Sequence, residues 1–191
     1  MSDSNNQKFN HLKIHTQYSI CEGAIKIDKL KDFCKENKIQ CLGLSDTSNL
    51  CGALEFAENI SKVGTQPIIG TQINFKYEDT TGLLPLIALN EKGYKRIINL
   101  SSKSYLENDN LSDPHLDIKE LLIETEGVII LSGTIHGLFG KLFEKGRFEE
   151  ISKLYQAISK KFNDRFYLEI QRHGDQNEIA FEKFNLQQSS K

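Results

Sequence analysis

Val128-Ile129-Ile130-Leu131 narrows the available folds more than any other stretch of this chain. Four branched aliphatic residues in a row leave no polar face, so the strand they form needs cover on both sides. Helices above and below a sheet supply that cover in α/β folds. The strand stops at Ser132-Gly133, and amphipathic stretches flank it at residues 117–125 and 137–144.

The rest of the chain alternates between the two periods. Residues 12–14 read as a short strand that runs into a polar loop carrying His15, Thr16 and Ser19. Asp28 caps a helix over 28–37, with Leu30, Phe33 and Cys34 at helical spacing. An apolar strand at 39–44 ends at Ser45-Asp46, and Asn49 or Gly52 opens a helix carrying Leu54, Phe56, Ala57 and Ile60. Strands at 67–75 and 83–89 surround a turn at 78–82, and Pro85 suggests an edge or a bulge. Next come a helix at 93–107, a polar loop at 108–114 and a short helix at 117–125. After Leu131 the pattern predicts helices at 137–144 and 148–162, a strand at 166–171 and a last helix at 175–188. Strands and helices in alternation, joined by short links, predict an α/β fold whose mostly parallel sheet is open or closed into a barrel.

In such folds the chemistry lies in loops at the carboxyl ends of the strands. Those positions carry His15, Thr16 and Ser19; then Ser45, Asp46, Thr47, Ser48 and Asn49; Gln72; Thr134 and His136; and Arg172, His173 and Gly174. Imidazoles and a carboxylate converging on one mouth suit a metal or a phosphate. The set is poor in both directions, because hard divalent ions want more carboxylates and zinc clusters want more histidines. His11, His115 and His136 read as solvated loop residues, Phe139, Phe143, Phe148 and Phe162 as core, and Lys145, Arg147, Lys153, Lys160 and Lys161 as a solvated basic face.

The charge balance adds exclusions. With 24 Lys+Arg against 26 Asp+Glu and a net charge of -2, no basic face announces a grip on nucleic acid. No apolar run approaches the ~20 residues of a membrane span, and the first residues lack the apolar core of a signal peptide, so a cytoplasmic protein without membrane contact is expected. Cys21, Cys34, Cys41 and Cys51 form no Cys-x-x-Cys pair and read as reduced, mostly buried thiols.

Several segments, in order, carry a resemblance. They are residues 11–19 (His-Leu-Lys-Ile-His-Thr-Gln-Tyr-Ser), 44–56, Pro67-Ile-Ile-Gly70, Asn90-Glu-Lys-Gly-Tyr94, 127–133 and 166–174 (Phe-Tyr-Leu-Glu-Ile-Gln-Arg-His-Gly). Together they resemble the PHP (polymerase and histidinol phosphatase) domain, in the form found at the amino terminus of bacterial DNA polymerase III alpha subunits. The resemblance implies a distorted parallel β/α barrel, TIM-like, with a multi-metal cluster at its mouth. It divides the chain into residues 1–8, an extended or disordered lead, and 9–191, a partial PHP domain that lacks the last strand and the final Asp-x-His motif.

Carried over position by position, the family's ligands fall on Lys13, His15, Asp46, Thr47, Gln72, Leu83 or Leu84, Thr134 and His173. Only His15, Asp46 and His173 keep metal-binding side chains. A lysine ammonium has no lone pair to offer, Gln72 lacks the charge of a glutamate, and Thr47 and Thr134 are weak replacements for histidine and cysteine. A decayed site is expected, held by a Lys13–Asp46 ion pair, with no cofactor of its own. The parent chain implied by the resemblance is a DNA-directed DNA polymerase using Mg²⁺, and contacts DNA outside this domain. The domain itself is then a scaffold that docks the proofreading exonuclease subunit within the polymerase holoenzyme. The alternative is an active metal-dependent phosphoesterase or exonuclease using His15, Asp46 and His173.

Overall fold

The computed structural model describes residues 9–108 and 113–189. The lead expected over 1–8 and the centre of the polar loop lie outside the described residues. In chain order the elements are α1 (Ile27–Asn37), β1 (Cys41–Thr47), α2 (Ala53–Ser61), β2 (Gln66–Tyr77), β3 (Thr80–Ala88), α3 (Glu91–Leu106), β4 (Leu116–Asp117), α4 (Ile118–Leu121), β5 (Val128–Leu131), α5 (Leu138–Glu144), α6 (Phe148–Phe162), β6 (Phe166–Tyr167) and α7 (Gln176–Ser189). No helix among them is long and apolar enough to cross a membrane.

The main sheet runs β1-β2-β3-β5-β6, with β4 beside the end of β2. A single parallel bridge, Ile14 to Leu44, adds the residue 12–14 segment outside β1. β1 is parallel to β2 and β5 to β6, while β3 is antiparallel to both of its neighbours. All the path strands except β3 therefore point the same way, as the alternating pattern predicts. The exception comes from the turn at Glu78-Asp79. Only two residues separate Tyr77 from Thr80, and Glu78 adopts a left-handed φ of 52°. A two-residue link can only reverse the chain, because a parallel return needs a crossover of a dozen residues or more.

Pro85 is in neither an edge strand nor a bulge. It pairs in register with Gln72 on one side, and the β3–β5 ladder on the other side begins only at Leu86. The missing N–H thus falls just beyond the ladder's end. The strand expected at 166–171 keeps ladder pairing only at Phe166–Tyr167.

Two apolar cores form. The larger packs Ile73, Phe75, Leu84, Leu86, Val128 and Ile130 of the sheet against Ile97, Leu100, Phe139, Ile158 and Phe162. The smaller joins Leu42 and Leu44 to Ile27, Leu30, Phe56 and Ile60. β5 is covered less evenly than its sequence predicts: Val128 and Ile130 are buried, but Ile129 and Leu131 only half so. The cysteines also depart from expectation. All four are free thiols, but only Cys34 is buried, and Cys21 and Cys51 are exposed. Short loops around α2 and the 16–23 turn carry the exposed pair, where apolar neighbours are scarce. Phe139 and Phe162 are core, whereas Phe148 is half-exposed and stacks on Phe143 and Phe184. Lys145 and Arg147 leave the solvated face to hold Glu78, Asp79 and Glu150, which pins the hairpin turn to the α5–α6 link.

Candidate functional site

Because the 12–14 segment, β1, β2, β5 and β6 share one direction, the residues that follow them meet at one end of the sheet. Lys13, His15, Gln72, Leu83, Thr134, His136, Gln171 and His173 line a concavity there of about 280 Å³. Six are positions onto which the resemblance carries the family's ligands; Leu83 lines the concavity, whereas Leu84 is fully buried in the larger core. β3 runs against its neighbours, so its amino-terminal half reaches this mouth. Asp46 lies beneath the mouth with no exposure, and Thr47 beside it.

Asp46 accepts three hydrogen bonds from internal donors. Its Oδ1 accepts from the Thr16 backbone N–H at 2.6 Å and the Ser19 hydroxyl at 2.7 Å, and its Oδ2 accepts from the Thr16 hydroxyl at 2.7 Å. Such charge-assisted bonds fix a carboxylate firmly. The Thr47 N–H donates to Ser19 Oγ at 3.1 Å, and the Thr47 hydroxyl donates to Glu22.

His15 continues the network. Gln72 Nε2 donates to its Nε2 at 3.2 Å, and its Nδ1 lies 3.4 Å from Ser19 Oγ, the longest contact of the set. The Gln72 amide nitrogen can only donate, so this contact assigns His15 Nε2 as acceptor and the ring proton to Nδ1, facing a hydroxyl that already donates to Asp46. Burial lowers the His15 pKa, with the Lys13 charge adding to it against the pull of Glu22. Burial thus favours the neutral ring, whose Nε2 lone pair faces the Gln72 amide.

Lys13 does not pair with Asp46. Ile14 bridges to Leu44, and Thr16, two positions on, bonds the Asp46 carboxylate, so Asp46 shares a face with Ile14 and Thr16, while Lys13 and His15 take the other. Lys13 Nζ instead meets Glu169 Oε1 at 2.8 Å. Gln171 Nε2 donates to the same oxygen at 2.9 Å, while Glu169 Oε2 is buried without a partner.

On the far side, Thr134 Oγ1 accepts from the His136 N–H at 3.2 Å. His173 is tied to the start of α7: its N–H and Nδ1 reach the Glu178 carboxylate at 2.7 and 2.8 Å. Asp175 caps the same helix by accepting from the Asn177 N–H, so Asp175-x-x-Glu178 works as a capping box. The His173 bonds hold the Glu178 carboxyl below its ordinary pKa.

This donor set does not fit a multi-metal cluster. A metal needs unshared lone pairs, and both oxygens of Asp46 and the Nε2 of His15 already accept from protein donors. Of the further carboxylates, Glu169 is paired with the Lys13 ammonium and Glu22 accepts from the Thr47 hydroxyl. Among the described residues no three His, Cys, Asp or Glu side chains gather closely enough to hold a metal ion.

Sequence reading missed Glu169 and Gln171 at the mouth; His136 is exposed, as expected, and lines its rim. His115, expected in solvent, is half-buried, with its Nδ1 2.8 Å from the Asp113 carbonyl. A signal for Glu169 was available. In 166–171 Phe166, Leu168 and Ile170 alternate with Tyr167, Glu169 and Gln171, and a carboxylate on a strand face that turns inward requires a cation.

The chain has relatives among well-described proteins. It is 37% identical over 190 residues to the DNA polymerase III subunit alpha of Caulobacter vibrioides, covering 95% of this chain and 17% of that protein. The protein of the same name from Rickettsia felis is 38% identical over 168 residues (87% and 14%), and that from Borreliella burgdorferi 36% over 178 (87% and 15%). The chain thus spans about one sixth of the length of these relatives. The family model of the PHP domain matches residues 11–173, from the strand that presents Lys13 and His15 to the loop that presents His173; the chain belongs to the PHP domain family.

Proposed function

We propose that this chain is the PHP domain of a bacterial replicative polymerase of the DNA polymerase III alpha type, and that it serves as a scaffold rather than a metal-dependent phosphoesterase. One observation carries the reading: the family's ligand positions are bonded to one another or to neighbouring protein groups. The donors that a metal would need at Asp46 and His15 serve Thr16, Ser19 and Gln72 instead. His173, the third surviving candidate, holds the amino terminus of α7. In this reading Lys13, Thr47, Gln72 and Thr134 mark where side chains able to hold a metal were lost. Mg²⁺-dependent nucleotide transfer belongs to other parts of the parent polymerase.

The partner that suits a metal-free domain of this kind is the proofreading exonuclease subunit. The balanced charge supports a protein partner over DNA. A DNA-binding surface has affinity that falls steeply with salt through counterion release, whereas a protein interface rests on a few buried anchors.

Elemental analysis and a nuclease assay on the purified chain test the metal-free reading. Fewer than one tightly bound transition metal per chain and no metal-stimulated hydrolysis are expected; two or more bound zinc or manganese ions would overturn it. Titration with the exonuclease and with short single- and double-stranded DNA, at low and moderate salt, tests the scaffold. Tight DNA binding at moderate salt with no exonuclease binding would replace it with a nucleic-acid role.

A further inference from the structure

The mismatch between the family's metal and this chain's side chains leaves one group unexplained, the Lys13 ammonium among former ligands. Resting on the metal-free reading above, we propose that Lys13 is the resident cation of this mouth and clasps the two edges of the sheet through Glu169.

Lys13 belongs to the segment outside β1, and Glu169 follows β6 at the opposite edge, 156 positions later. Among the described residues no strand pairing joins those two edges. The Lys13–Glu169 bond at 2.8 Å crosses between them, with the two side chains only 15% and 12% exposed. Glu169 is positioned for this: its N–H donates to Ser132 Oγ at 2.9 Å, which ties it to the end of β5, and Gln171 steadies Oε1. Oε2 is buried without a partner, so the carboxylate depends on the ammonium for compensation of its charge. A metal ion joins strands by drawing donors from several of them toward one charge. Here a side-chain cation does so between two, and it occupies the carboxylate that an incoming ion would need.

A thermal-unfolding cycle on the full chain tests the clasp, with Lys13→Met, Glu169→Met and the double variant beside Lys13→Arg, each with a chelator and with Zn²⁺ or Mn²⁺ alone. Each single substitution strands a charge and is expected to lower Tm by roughly 5–10 °C. The double variant should melt no lower than the worse single one, and Lys13→Arg should keep most of the wild-type Tm. Should Lys13→Met fail to fold, rescue by the added Glu169→Met supports the clasp and absence of rescue overturns it. Additive losses, or a Lys13→Met variant as stable as wild type, also overturn it. Metal and chelator are expected to leave the wild-type Tm unmoved. A rise that the chelator reverses overturns the metal-free reading, and with it Lys13 as the ion's replacement. Additive variants without a metal response overturn the clasp alone.

Discussion

On the near side of the mouth, His15, Asp46 and Gln72 hang from neighbouring strands; on the far side, Thr134 and His173 sit in loops beyond β5 and β6. The near group is bonded inward in a continuous chain, Gln72 to His15 to Ser19 to Asp46, beneath which Asp46 has no contact with solvent. The far group has turned outward, and the His173 side chain is 73% exposed. A ligand position on a paired strand cannot move its backbone, so a polar group left there must find internal partners or suffer the cost of an unsatisfied buried group. A position in a loop can go to water. The two sides therefore differ, with a buried hydrogen-bonded network on one and a helix cap on the other.

The strongest way to break this contrast is Asp46→Ala. It strands the Thr16 N–H and two hydroxyls in a buried space, and a loss of about 3–5 kcal/mol is expected in urea unfolding at unchanged m. A loss below about 1 kcal/mol would show that the near side is no more committed than the far side. Thr16→Val comes next, since it removes one of the three donors; the expected loss is about 1–2 kcal/mol by the same measurement.

The pH dependence separates the two sides. His15 has its pKa lowered by burial, so the unfolded chain binds the proton more readily than the folded one. Stability is then fully present above the ordinary histidine value near ~6.5 and declines as pH falls below it. Glu178 on the far side has its pKa lowered by the His173 hydrogen bond. Its contribution is present above the ordinary glutamate value near ~4.3 and is lost as pH falls through the lower folded value. Two acid limbs are expected in the unfolding midpoint against pH. His15→Gln should flatten only the upper limb and Glu178→Gln only the lower; a single limb abolished by either variant would contradict the separation. The smallest effect belongs to His173→Ala, which should move Tm by no more than about 1–2 °C, as for an exposed side chain.

Much of the frame is legible from the residues. The helix at 148–162 shows in its apolar spacing, and the short apolar runs show the strands. The direction of β3 was harder, because an apolar strand looks the same whichever way it runs. Only the two-residue link at Glu78-Asp79 settles that it turns back, and its 78–82 neighbourhood reads from sequence as a longer turn.

The sequence by itself determined which ligating groups the chain can offer at these positions. A lysine at 13, threonines at 47 and 134 and a glutamine at 72 cannot offer what histidines, a cysteine and a glutamate would, whatever the fold around them. Which partners these side chains take was decided only in three dimensions. Strand alternation put Asp46 on the Thr16 face and turned Lys13 away from it, and the path of the sheet brought Glu169 within 2.8 Å of that lysine across 156 positions. Side-chain partners so far apart in the chain follow from register and from the closing curve of the sheet, which no local pattern of residues encodes.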